Sequence, residues 1–189
     1  AALEQSPDYP PALLNLALVH QALGREDDAW RVAQRAVALA LAPGRAHANL
    51  CALGLKRAEV TPVNLGAVCE AGAKGLPGDV EAQVGLARAW ARLGRIEAAD
   101  RLFLRLSDAH PSSVFALGHR VTFLTSQGRM DDALVLQRRL VNLAPQDPGH
   151  VRNLVALLLR EGDARADAGA LPAACALWAE VQRRTGGAA

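Results

Sequence analysis

Apolar and small side chains recur along this chain at helical spacing. Leu13, Leu16, Ala17 and His20 fall at i, i+3, i+4 and i+7, as do Val151, Leu154, Val155 and Leu158, and Leu117, Val121 and Leu124 follow the same stripe. Residues three and four apart share one face of a helix, so each stripe predicts an amphipathic helix. No segment carries the alternating pattern of a strand. The stripes are punctuated by near-identical words: "ALGREDDA" at 22–29, "RLGRIEAA" at 92–99 and "SQGRMDDA" at 126–133. Each places a glycine where a helix ends, because the left-handed C′ position costs glycine least. Acids then follow in the first turn of the next helix, where they complement its dipole. The pattern predicts antiparallel helix pairs joined by tight turns.

These pairs repeat. Gly94 and Gly128 stand 34 residues apart, as do Ala99 and Ala133, and Pro111 and Pro145. Gly24 lies 70 residues before Gly94, which leaves room for one further unit between them. The chain therefore divides into units at about 10–46, 47–79, 80–113, 114–147 and 148–185, together one repeat domain over 1–189. Ala2 and Pro7 make 1–9 the end of a preceding unit, and 186–189 reads as a flexible tail.

The period and its residues resemble the tetratricopeptide repeat (TPR). Unit three carries Leu86, Ala87, Trp90, Ala99, Phe103, Leu106 and Pro111; unit four carries Leu117, Val121, Leu124, Ala133, Leu140 and Pro145. Unit one supplies Leu13, Leu16, Ala17, His20, Ala29, Ala33 and Ala36, and unit two Leu50, Leu53, Gly54 and Ala73. Departures exist. The fourth position never holds Trp, Pro43 comes late and Pro77 early, and unit five wanders through "EGDARADAGA" before restarting at Pro172. In unit two, Thr61 reads as an N-cap and Pro62 as the first residue of the second helix.

The resemblance implies an all-α fold, a right-handed superhelical solenoid of stacked antiparallel hairpins, because one hairpin cannot bury its own apolar face. It also implies a concave groove lined by the first helices. Carried onto this chain, the groove positions are Pro11, Leu14, Leu18 and Gln21; Ala48, Cys51, Leu55 and Ala58; Glu81, Val84, Arg88 and Ala91; Phe115, Gly118, Thr122 and Thr125; and Gly149, Arg152, Ala156 and Leu159. Asn15, His119 and Asn153 add polar groups able to hold a peptide backbone. The expected partner is a protein or peptide with an acidic segment: Leu14, Leu18 and Leu55 grip apolar side chains, while Arg88, His119, Arg152 and Asn153 engage carboxylates. The two-carboxylate clamp of some relatives is not present, since its lysine position holds Leu14, Cys51, Val84, Gly118 and Arg152.

Composition narrows the function further. A formal net charge of +2 does not imply nucleic acid, and apolar runs such as "NLVALLLR" are too short to span a membrane. Lys56 and Lys74 are the only lysines among 21 basic residues, a bias of GC-rich bacterial genomes. Cys51, Cys69 and Cys175 are an odd, widely spaced set, which argues against a disulfide framework and a zinc site and for small buried hydrophobes. The histidines at 20, 47, 110, 119 and 150 lack metal-ligand spacing, and "SDAHPSS" falls in a turn between units. No catalytic residue, cofactor or metal is expected. The first reading is a protein-interaction scaffold. The alternatives are the repeat segment of a larger bacterial glycosyl- or sulfotransferase-type enzyme, or an assembly subunit of envelope or secretion machinery. Self-association through an exposed N-terminal end is a further expectation. No compartment is written in the residues; the cytoplasm is the first expectation and the periplasm the second, since no true N-terminus is visible.

Overall fold

The computed structural model describes residues 8–40, 44–57 and 62–185, and among these residues only helices occur as regular structure. They are α1 (Pro10–Ala22), α2 (Glu26–Ala38), α3 (Arg45–Gly54), α4 (Pro62–Gly75), α5 (Val80–Arg92), α6 (Ile96–Ala109), α7 (Val114–Ser126), α8 (Met130–Leu143), α9 (Pro148–Asp167) and α10 (Leu171–Thr185). Consecutive helices pack as hairpins: α1 on α2, α3 on α4, α7 on α8 and α9 on α10. The all-α class and the helix pairs follow the sequence pattern. Ala2, Pro7, Pro43, Ala58, Thr61 and the 186–189 tail lie outside the described residues.

The repeated glycine words fold as read. Gly24, Gly94 and Gly128 have φ of 70°, 76° and 71°. In each turn the residue after glycine donates its N–H five residues back, Arg25 to His20, Arg95 to Trp90 and Arg129 to Leu124, at 2.8–2.9 Å. Glycine itself donates three back, so two orphan carbonyls at each helix end are satisfied. Glu26, Asp27 and Asp28 open α2, Glu97 lies in the first turn of α6, and Asp131 and Asp132 in that of α8. First helices are capped differently: Asp79 and Ser113 accept from Ala82 and Ala116 N–H at 2.9 and 3.2 Å, and Asp147 accepts from Gly149 N–H at 2.8 Å.

Unit five departs from its expected course. "EGDARAD" does not wander but continues α9, which runs 20 residues against 13 in α7. The surplus is close to two turns of about 3.6 residues each, so the apolar face stays in phase. A fourth left-handed glycine, Gly169 at φ 77°, then turns the chain into α10.

The helices divide into two compact units, Ala1–Leu106 and Ser107–Ala189. In the first, Ala17, Ala29, Ala33, Leu50 and Leu53 form the core, with Trp30, Val32, Val37 and Val68 against it. Gly72 of α4 sits so close to α3 that a Cβ would lie 2.7 Å from the Ala48 nitrogen. The cysteine expectation is corrected in this hairpin: Cys51 of α3 and Cys69 of α4 form a disulfide, and only Cys175 is free and exposed. Chain distance hid this pairing; the close approach of two antiparallel helices supplies it.

In the second unit Leu134, Val141, Leu154, Leu158 and Leu177 form the core, with Val151, Leu157 and Val181 against it. Trp178 packs on Gly162, whereas Gln182, Arg183 and Arg184 are exposed, as a polar closing turn requires. Arg138 of α8 bonds both carboxylate oxygens of Glu180 on α10, at 2.7–3.2 Å. The hydrogen bond from Arg138, followed by the charges of Arg138 and Arg184, holds the Glu180 carboxyl below the usual glutamate range.

Two outcomes are expected. Gly72→Ala drives a methyl into backbone that cannot yield and should cost about 1–3 kcal/mol in urea unfolding. Gly118→Ala in α7 meets nothing within 4 Å and should gain about 0.5–1 kcal/mol. Because the Glu180 value is depressed, its contribution is complete above the unfolded value near about 4.3 and is lost as pH falls through the lower folded value. Glu180→Gln should therefore be less stable than wild type by about 1 kcal/mol near neutral pH, a figure kept small because Arg138 is partly exposed, and the gap should close in acid.

Candidate functional site

In the first unit α3 packs against both α1 and α5, so the first helices form a row. α1 presents Leu14 half-buried, Asn15 exposed and Leu18 at 47% exposure, and Val19 and Leu23 widen this apolar strip at 53% and 60%. Leu55, half-buried, ends α3. Cys51 and Val84, expected to face the groove, are buried at 2% and 0%. Cys51 is withdrawn by its disulfide, and Val84 points into the core of the first unit.

α5 carries three functional positions on one stripe. At Gly85 a Cβ would lie 3.1 Å from the Cys51 sulfur, so α5 rests directly on α3 there. Two turns on, Arg92 donates to the Gly54 and Arg57 carbonyls at 3.2 and 2.8 Å and closes the C-terminus of α3. Arg88 lies between them, half-buried, and burial alone lowers its pKa below the ordinary arginine value. No carboxylate offsets that desolvation among the described residues, so none of them supplies Arg88 with a counter-charge.

A cleft on the first hairpin is walled by Leu13, Leu16, His20, Asp28, Arg31, Val32 and Arg35 and has a volume of about 490 Å³. Its arginines are already engaged, Arg31 by Asp28 and Arg35 by Asp8.

In the second unit a cleft of about 570 Å³ opens among α7, α8 and α9. Val121, Leu140, Ala156 and Leu157 make its apolar surface, and Gly118, Thr122, Thr125, Ser126, Gln137, His150, Asn153 and Arg160 complete it. Gly118 leaves an open floor, since nothing lies within 4 Å of where its Cβ would be. The buried Gln137 amide donates to the His150 carbonyl at 2.8 Å and ties α8 to the start of α9. Thr122 and Ser126 donate to the Gly118 and Phe123 carbonyls of their own helix at 3.1 and 2.6 Å; the Ser126 oxygen in turn accepts from the Gln127 amide at 3.1 Å, while the Thr122 oxygen keeps its acceptor capacity. No carboxylate lines the cleft, and Arg160 is its one arginine.

Of the residues expected in the second unit, Asn153 is in this cleft, with the groove positions Gly118, Thr122, Thr125 and Ala156. His119 is half-buried and stacks edge-on against Phe115, with ring centroids 4.7 Å apart. Arg152 is exposed on α9 outside the lining. Sequence reasoning missed Arg160, which follows Asn153 and Ala156 by seven and four residues and so shares their face.

No protein-family model matches the sequence, and no curated protein sequence does. Solved structures are similar in fold. The chain aligns with YrrB, a TPR protein with an unusual peptide-binding site, at TM-score 0.68 and 15% identity over 97% of this chain and 90% of that one. With the MamA protein the values are 0.68 and 13%, over 93% and 91%. PilW, a type IV pilus biogenesis factor, gives 0.70 and 19%, over 96% and 80%. The fold is that of the tetratricopeptide-repeat proteins, an α-helical solenoid.

The electrostatics of α5 make a test. Arg88→Met should raise the urea midpoint, by up to about 1 kcal/mol, since an unpaired half-buried cation is removed. Arg92→Met, which strips the α3 carbonyls of their donor, should lower it by about 1–2 kcal/mol. Equal effects of the two would contradict the assignment of Arg88 as a residue held for a ligand.

Proposed function

We propose that the chain is a protein-interaction scaffold whose first helices hold extended segments of a partner protein, the first unit meeting a carboxylate at Arg88 and the second unit, by itself, meeting one at Arg160. The observation that carries this reading is the cleft on α7, α8 and α9: apolar walls, the Asn153 amide, the Thr122 hydroxyl and one arginine with no acid among the described lining residues. A peptide backbone needs donors and acceptors at close intervals, its side chains need apolar shelves, and a carboxylate needs a cation that is not already neutralised. Arg31, Arg92, Arg138 and Arg165 are committed to carboxylates or carbonyls within the fold. Arg88 and Arg160 differ from them in that respect. Leu14, Leu18 and Leu55 supply apolar grip in the first unit, and Asn15, His119, Arg152 and Asn153 flank the same first helices. The reading assigns no catalytic step, cofactor or metal.

The likeness to YrrB supports a peptide as the ligand class. A second reading, an assembly subunit of envelope or secretion machinery, is favoured by the likeness to PilW; it concerns where such a scaffold works. No described helix is long and apolar enough to cross a membrane.

Selection of a displayed random-peptide library on the immobilised chain tests the proposal. Enriched peptides should carry Asp, Glu or a free C-terminal carboxylate, and affinity should fall with rising salt. Arg160→Glu should weaken peptides held by the second unit, and Arg88→Glu those held by the first, each at least about tenfold, the scale of one charge-assisted hydrogen bond, while Arg31→Glu leaves both unchanged. Enrichment of peptides without acids, with affinity indifferent to both substitutions, would refute the reading.

A further inference from the structure

The α3–α4 hairpin is the thinnest part of the first unit. α3 has 10 residues, and the two helices approach through Gly54 and Gly72, with Gly66 on the side of α4 that meets the end of α5. A Cβ on Gly54 would meet Leu65 and Trp30, on Gly66 the Leu93 side chain, and on Gly72 the Ala48 backbone. Glycines permit this approach but bury little apolar surface of their own, so side-chain area contributes less here than in a leucine-packed hairpin. At the centre lies the Cys51–Cys69 disulfide, 2% and 1% exposed, with Cα atoms 4.9 Å apart and Gly85 of α5 directly upon it.

We propose that Cys51–Cys69 is a structural disulfide installed on this chain by a thiol–disulfide oxidant, and that the protein therefore folds and meets its partner in an oxidising compartment rather than in the reducing cytoplasm. This replaces the cytoplasm as the first expectation. Disulfides of ordinary intracellular proteins are transient and exposed, whereas buried ones persist where no reducing pool acts on them. The chemistry balances through exchange. A Cys51 or Cys69 thiolate attacks the oxidant's disulfide and forms a mixed disulfide, releasing one oxidant thiolate. The other cysteine then attacks, the Sγ–Sγ bond forms, and the oxidant leaves as a dithiol carrying the two electrons and two protons. The burial of both sulfurs means the bond forms before α5 closes over it. Once formed, it is shielded from exchange. Closing an 18-residue separation removes unfolded-state freedom, so the bond stabilises the hairpin on which α5, and with it Arg88, is seated.

The test begins with the chain recovered from its own cells under acid quench, unfolded without reductant, alkylated and digested. The expected product is a peptide pair joined through Cys51 and Cys69, with Cys175 outside it. Separate alkylation of Cys51 and Cys69 would overturn the proposal. A second readout uses the purified oxidised chain. Reductant should shift the unfolding equilibrium of the first unit by on the order of a hundredfold and leave Arg138-dependent stability of the second unit unchanged. A Cys51→Ala, Cys69→Ala double variant should be insensitive to reductant. An oxidised wild type with the same unfolding midpoint with and without reductant would contradict the stabilising role.

Discussion

Two helices can bury one another only as far as the smallest side chains between them allow, and this chain is built on that limit. Ala17, Ala29, Ala33 and Ala36 are essentially inaccessible where α1 and α2 meet, and Ala87, Ala99 and Ala133 recur at the corresponding places. Small residues bring backbones close, and the left-handed glycines fold the chain back within three residues. Neither feature stabilises a lone hairpin. Each hairpin leaves an apolar stripe that its neighbour must cover, and stacking follows from that need.

Stacking determines what remains available for binding. Several arginines are spent within the fold: Arg138 of α8 on Glu180, Arg165 of α9 on Glu161 and Asp131, and Arg92 of α5 on the Gly54 and Arg57 carbonyls. First helices leave some cations unspent. Arg88 is half-buried without a counter-ion, and Arg160 stands in a cleft without an acid. A fold gains nothing from desolvating a guanidinium such as that of Arg88, and the proposed ligand is one that supplies the missing charge.

Much of this was legible in the sequence because the determinants are local. Gly24, Gly94 and Gly128 announce their turns through a single backbone angle, and Glu26, Asp27 and Asp28 announce a helix start through a dipole. The determinants that were not legible are tertiary. Cys51 and Cys69 pair because glycines on facing helices remove the space between them, and no spacing rule encodes that. Gly169 was hidden by an insertion of about two turns that preserved phase while shifting the 34-residue count. At the candidate site, Gly118, Thr122, Asn153 and Ala156 share one cleft, whereas Val84, read as a groove residue, is buried in the first unit. Arg160 escaped because it stands at the thirteenth position of its unit, one beyond the last groove position carried over from the repeat.

The central claim is that the first helices form the binding surface. A backbone-amide NMR titration of the whole chain with an acidic peptide from the library tests it most directly. The account predicts the largest shifts at Gly118, Thr122, Asn153, Ala156 and Arg160 in the second unit and around Arg88 in the first. Shifts confined to the second helices α2, α8 and α10, with the first helices silent, would contradict it.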